Sequence, residues 1–245
     1  MKRAIVIVAL VFLSAAGEAE KVTVDHLMKL RSIVDVRISP GGDRVAYVVS
    51  TPSLEKNAHE AALYVVPTRG GPARRIAEGT RVFAPRVPVP KLRWSPDGVR
   101  VSFLGYAGDK PQVYAVAASG GEARALTKAP EGVNGYDWAP DGKSLAYLTR
   151  DPASPEEQRR RKENSFVIHA DAPEAVTRLW LQPLDDAPAR ALTPPPQYVD
   201  SFSWAPDGTE IAYAAAPTTG FAAQYATRLY AVSLAGGPPR TVVDR

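Results

Sequence analysis

The sequence predicts an all-β fold, a β-propeller of four four-stranded blades of the PD40/WD40-like kind. Three observations carry this. A phrase recurs four times, as Ile38-Ser39-Pro40-Gly41-Gly42, Trp94-Ser95-Pro96-Asp97-Gly98, Trp138-Ala139-Pro140-Asp141-Gly142 and Trp204-Ala205-Pro206-Asp207-Gly208. Five and seven residues after each proline stand an aliphatic and an aromatic: Val45 and Tyr47, Val101 and Phe103, Leu145 and Tyr147, Ile211 and Tyr213. A small residue lies between them (Ala46, Ser102, Ala146, Ala212). A second phrase then follows in fixed order: Leu63-Tyr64, Val113-Tyr114, Leu179-Trp180 and Leu229-Tyr230, each with an arginine eleven residues after its aliphatic, namely Arg74, Arg124, Arg190 and Arg240.

Each phrase has a physical reading. Alternation of large and small residues is the period of a strand. Proline presets φ for a turn, and Asp-Gly adds a side-chain acceptor and a residue tolerant of positive φ, so Pro-Asp-Gly closes a first hairpin. Gly70-Gly71, Gly120-Gly121 and Gly236-Gly237, with Asp186-Ala187 in the third copy, close a second. A four-stranded unit of this size cannot bury both of its faces alone, so the units stack radially. The tryptophans Trp94, Trp138, Trp180 and Trp204 fall in strand register and read as core.

Taken in order, residues 1–17 read as a signal peptide: Lys2-Arg3 is a basic start, Ala4 to Leu13 is apolar but too short to span a bilayer, and Ser14 to Ala19 offers small residues for cleavage. An uncleaved anchor is the alternative. Residues 18–32 form a lead-in, and the blades are expected over 33–79, 80–129, 130–195 and 196–245. Proline-to-proline spacings of 56, 44 and 66 place extra residues in loops, Thr51 to Ala61 in the first repeat and Asp151 to Thr177 in the third. The latter contains Glu156-Glu157-Gln158-Arg159-Arg160-Arg161-Lys162, read as a solvated and helix-prone loop.

Composition narrows the function. The 245 residues are 45% hydrophobic with 23 Pro and 18 Gly, which suits many short strands and turns. The formal charge of +4 falls to +2 once Lys2 and Arg3 are cleaved, with both signs spread along the chain. That argues against nucleic acid as a partner. With no cysteine there is neither a disulfide framework nor a lipid-modified N-terminal cysteine. A periplasmic or secreted location is the expectation.

No catalytic, cofactor-binding or metal-binding residue is expected. His26, His59 and His169 are too far apart in sequence to suggest a metal. The nearest approach to a Gly-x-Ser-x-Gly elbow is Gly142-Lys143-Ser144-Leu145-Ala146, but Ser144 occupies the position held by Arg44, Arg100 and Glu210 in the other copies and reads as an exposed strand residue. The four repeated arginines read as structural, capping strand ends or pairing with the turn aspartates.

Val22 to Arg31, Val34 to Pro40 and Arg44 to Tyr47, together with the charged insertion before Thr177-Arg178-Leu179-Trp180-Leu181, resemble the propeller of secreted serine peptidases of the prolyl oligopeptidase family (S9). The acylaminoacyl-peptidase and dipeptidyl-peptidase branches are the most similar in style. The resemblance implies a ring of seven or eight blades followed by an α/β-hydrolase domain with a nucleophilic serine, an aspartate and a histidine. This chain stops at Arg245 without them, so it is expected to be the non-catalytic propeller portion, with peptides as partners through a domain not in this chain, and a role in gating peptide access. Glu156-Glu157 lacks the surroundings of the amine-binding glutamates of dipeptidyl peptidases and is not assigned their role. The rival reading is a stand-alone periplasmic interaction propeller similar to that of the Tol system. Uncovered end blades make self-association an expectation.

Overall fold

A computed structural model describes residues 21–82, 91–163, 176–185, 187–217 and 225–243. The proposed signal segment, His169 and Asp186 lie outside the described residues. A short helix, α1 (Val24–Met28), is closed at its start by a capping box between Thr23 and His26. Four antiparallel sheets follow. They are β1 (Ser32–Ile38), β2 (Arg44–Ser53), β3 (Ala58–Pro67) and β4 (Arg74–Ile76); β5 (Arg93–Trp94), β6 (Arg100–Ala107), β7 (Lys110–Ala117) and β8 (Arg124–Ala125); β9 (Gly135–Trp138), β10 (Ser144–Arg150), β11 (Thr177–Pro183) and β12 (Arg190–Ala191); β13 (Tyr198–Trp204), β14 (Glu210–Ala216), β15 (Arg228–Ser233) and β16 (Arg240–Val243). In each sheet the strands pair in chain order. A second helix, α2 (Pro155–Lys162), lies between β10 and β11.

The repeated phrases form the turns read from them. In blades 2, 3 and 4 the Pro-Asp-Gly glycines Gly98, Gly142 and Gly208 sit at φ of 69°, 69° and 72°, a region costly for any residue with a Cβ. Their amides donate to the carbonyls of Ser95, Ala139 and Ala205. The aspartates accept the amides of Val99, Lys143 and Thr209. A hydrogen bond from the Ser95 hydroxyl, with the Val99 amide second, holds the Asp97 carboxyl below its ordinary range.

The two aromatic positions of each repeat are cross-strand partners: Tyr47 opposite Tyr64, Phe103 opposite Tyr114, Tyr147 opposite Trp180, Tyr213 opposite Tyr230. Three of these pairs stack with centroids 5.4, 6.1 and 5.3 Å apart. Gly105 makes room for this arrangement in blade 2, where a Cβ would lie 2.8 Å from the Tyr114 ring.

Three apolar clusters separate the sheets, and they follow one rule. Ala46, Val48, Leu63 and Val65 of blade 1 pack against Trp94, Val101, Phe103 and Val116 of blade 2. Leu104 and Val113 of blade 2 meet Trp138, Leu145 and Tyr147 of blade 3. Ala146, Leu148, Leu179 and Leu181 of blade 3 meet Ile211, Tyr213 and Val232 of blade 4. The face bearing the small residue therefore looks forward to the next blade, and the face bearing the tryptophan and the aromatic pair looks back.

Two expectations need correction. The extra residues of repeat 1 are not a loop: the ladder continues through Ser50↔Ala61, Thr51↔Glu60, Pro52↔His59 and Ser53↔Ala58, so that β2 and β3 extend one hairpin to a turn over residues 54–57. Extended pairing satisfies backbone groups that a loop would leave to solvent. Ser144 is also half-buried rather than exposed, because it opens β10 directly opposite Pro183.

Candidate functional site

The first strands of all four sheets converge on a cavity of about 200 Å³ lined by Arg37 of β1, Lys91 and Arg93 at β5, Asp137 of β9 and Phe202 of β13. All three cations are positioned by neighbouring groups. Arg37 lies 3.3 Å from Asp35, and Asp35, its side chain 6% exposed, also accepts the Leu92 amide of the next blade at 2.9 Å. Arg93 lies 3.3 Å from Asp137. Lys91 donates to the Asn134 carbonyl. Burial, aided by the adjacent Arg93, lowers the Lys91 pKa. Three cations against the carboxylates of Asp35 and Asp137 leave one positive charge in excess at the cavity.

This cluster escaped sequence reasoning because position −3 from the repeat proline holds no single residue type, being arginine in the first two copies (Arg37, Arg93) and then Asp137 and Ser203. A fixed position that varies while its neighbours repeat was the available signal.

The residues singled out from sequence separate in space. Ser144 lies after a strand-to-strand turn rather than a strand-to-helix elbow. Two of the repeated arginines tie blades together: Arg74 donates to the Ser119 carbonyl and Arg190 to the Leu234 carbonyl at 2.9 Å, each in the second hairpin of the following blade. Among the described residues, Arg74 and Arg190 reach these carbonyls rather than the turn aspartates. Arg240 instead meets Glu210 of its own blade at 2.7 Å. Glu156 and Glu157 stand in the first turn of α2, where their charge suits the helix dipole and Ser154 caps the Glu157 amide. His26 caps α1, and His59 Nδ1 lies 3.2 Å from Ser50 Oγ. Ser50 is 7% exposed, and among the described residues no carboxylate orients His59, so this pair is a cross-strand hydrogen bond between long hairpin strands rather than a nucleophile with its base. Among the described residues no three histidine or acidic side chains come together as a metal would require, and no helix is long and apolar enough to cross a membrane.

Four stacked four-stranded sheets with converging first strands define a β-propeller domain. The chain matches the Lipoprotein LpqB beta-propeller domain over residues 4–136, more than half of its length, and belongs to that family. Among curated proteins it is 35% identical over 125 residues to the peptidase YuxL of Bacillus subtilis, covering 51% of this chain and 18% of that protein. It is 25% identical over 257 residues to dipeptidyl-peptidase 5 of Porphyromonas gingivalis, covering 94% of this chain and 36% of that enzyme. The chain thus spans about a third or less of these relatives, which are S9-type peptidases. Acylaminoacyl peptidase of Pyrococcus horikoshii has the same fold over 89% of this chain and 33% of its own, at TM-score 0.64 and 17% identity. A TolB protein of Agrobacterium tumefaciens matches over 86% of this chain and 64% of its own, at TM-score 0.54 and 19% identity.

Proposed function

We propose that this chain is the non-catalytic propeller portion of an S9-type serine peptidase, gating the access of peptides to an α/β-hydrolase domain outside the chain. The relationship to propeller regions of such peptidases supports the reading. The observation that carries it is the cavity where the first strands meet, lined by Arg37, Lys91 and Arg93 beside Asp137, whose cations suit the carbonyls and C-terminal carboxylate of a short peptide. A mature protein in the periplasm or outside the cell, released by cleavage of residues 1–17, is part of the same proposal.

The test is binding of short fluorescent peptides, read by anisotropy. Peptides with free C-terminal carboxylates are expected to bind, C-terminal amidation to weaken them, and Arg93→Glu to abolish binding in protein whose circular dichroism is unchanged. Equal affinity of wild type and Arg93→Glu for every peptide refutes a gate at this cavity.

The TolB likeness favours a second reading, a periplasmic protein-interaction scaffold. A folded periplasmic protein bound at the rim, with peptide binding absent, decides for it.

A further inference from the structure

The excess charge of the cavity can be traced to one residue. Arg37 is matched by Asp35 of its own strand and Arg93 by Asp137 of the next blade, each at 3.3 Å. Lys91 has no carboxylate partner among the described residues. Its Nζ donates to the Asn134 carbonyl just before β9, and a Cβ on the adjoining Gly135 would lie 2.9 Å from that nitrogen, so glycine there leaves room for the ammonium group. The backbone of Lys91 is also strained. Its φ is 52°, in the left-handed region that a residue with a Cβ enters at a cost. Asn57 shares that region within the turn over residues 54–57, where a short polar side chain eases it; lysine has no such relief. Such strain persists where the surroundings fix it, and it gathers at ligand-holding positions. The next residue does the fixing here, since the Leu92 side chain is fully buried and its amide donates to Asp35 of blade 1. All of these contacts join blades 1, 2 and 3 within the chain.

We propose that Lys91 is the carboxylate-binding residue of this cavity, and that the carboxylate it holds is the C-terminus of a short peptide. The inference rests on the peptide reading given above and assigns its specificity to one side chain. It also makes capture depend on pH. Burial disfavours the ammonium form and the adjacent Arg93 adds to this, so Lys91 gives up its proton below the ordinary lysine range. A carboxylate at Nζ supplies the missing counter-charge, so binding favours protonation and, by reciprocity, protonation favours binding. The charged and titratable groups around Lys91 are Arg93 of its own segment, Arg37 and Asp35 of β1, and Asp137 and Tyr136 of β9; from β13 only Phe202 reaches the cavity. The two aspartates are engaged by the two arginines. The Tyr136 hydroxyl donates to Ser102 and burial keeps it protonated.

The test uses dansyl-trialanine as the free acid and as the C-terminal amide, with binding to the purified chain read by fluorescence anisotropy. The acid is expected to bind roughly tenfold or more tightly than the amide, the worth of a hydrogen bond to a charged group. That preference is expected to fall as pH rises, before it reaches 10.5, the ordinary lysine value. Lys91→Met keeps a long side chain without the charge and is expected to bind acid and amide alike at every pH. Lys91→Gly is expected to lose the preference too, and to unfold at a higher denaturant concentration than the wild type because glycine relieves the strained φ; it asks the same question should Lys91→Met fail to fold. An acid preference that survives both substitutions, or that is lost only in Arg93→Glu, overturns the proposal and leaves the peptide gate standing. Acetate separates the two readings from the other side. In the chain with ¹³C-dimethylated lysines, the resonance absent from Lys91→Met is expected to shift with acetate and to titrate at higher pH in its presence. A resonance that acetate does not move overturns the proposal. One that moves while no peptide binds upholds Lys91 as the carboxylate site and refutes the gate.

Discussion

Among the described residues blades 2 and 3 lie between neighbours, whereas blades 1 and 4 each have one, and the same sequence phrase has a different fate in the two settings. Phe103 and Tyr147 are 0% and 4% exposed, while Tyr47, at the same place in its repeat, is only half-buried. The proline-glycine turn, the pairing of the aromatic positions across strands and the strand order are the same in blade 1 as in blade 3. Local structure is therefore written within the repeat, and burial is conferred by the adjacent one. In a stacked array, stability is divided between the intrinsic term of each unit and the interface term.

That division can be broken most forcefully at the tryptophan position. Trp138→Ala removes a buried ring and its Nε1 hydrogen bond to Ser102 at 2.8 Å, and is expected to cost about 3–5 kcal/mol. Ile38→Ala, at the same repeat position but 61% exposed, is expected to cost less than about 0.5 kcal/mol. Denaturant unfolding of both variants measures the contrast, and equal losses would mean that the faces are misassigned.

Ser102→Ala is the next test. One hydroxyl, fully buried, accepts from Tyr136 and from Trp138 in the following blade, so its removal strands two buried donors and is expected to cost about 2 kcal/mol. Blades 1 and 3 have alanine here, Ala46 and Ala146. The reverse change, Ala146→Ser, is expected to recover part of that kind of bond, because the indole N–H of Trp204 in the next blade is buried without a partner among the described residues.

Alkaline pH sharpens the comparison more gently. Burial pushes the Tyr147 hydroxyl up to about 12 and raises those of Tyr136 and Tyr213 as well, so the folded state keeps them protonated. The unfolded chain ionises them near 10.0. The stability they confer is therefore complete below pH 10 and is lost as pH rises toward 12. Unfolding midpoints measured across that window should fall, and Tyr147→Phe should flatten the decline.

The smallest effect is expected at Ser144. Arg44, at the same repeat position in blade 1, lies over the Trp94 ring of the next blade at 5.2 Å and donates to the Gly98 carbonyl. Ser144→Arg can reach Trp204 in the same way, and a change within about 0.5 kcal/mol is expected, with stabilisation the favoured sign.

Much of the fold was legible because its determinants recur. Four prolines, four aromatic pairs and four arginines at constant offsets are enough to specify hairpins and their stacking. What was not legible is relational. Alternation divides Val45 from Ala46 but does not say which looks forward, since both faces of an inner blade are apolar. The arginines' targets, Ser119 and Leu234, lie 45 and 44 residues away in the next unit. The cavity cluster was hidden by the mixture of residue types at its repeat position, and the long hairpin of blade 1 by Pro52 and the polar residues around its turn at 54–57, which read as loop although Thr51, Pro52 and Ser53 pair with Glu60, His59 and Ala58.

The directional joint between blades also bears on how such a chain changes in length. Every unit has one plug and one socket, so copying the shortest unit, 44 residues from proline to proline, inserts one more joint of the kind already present and leaves the outermost plug and socket as they were. Gene duplication can thus lengthen or shorten the array without inventing a new contact. Blade number becomes a quantity that selection can adjust by whole steps, while each step preserves the chemistry of the seam.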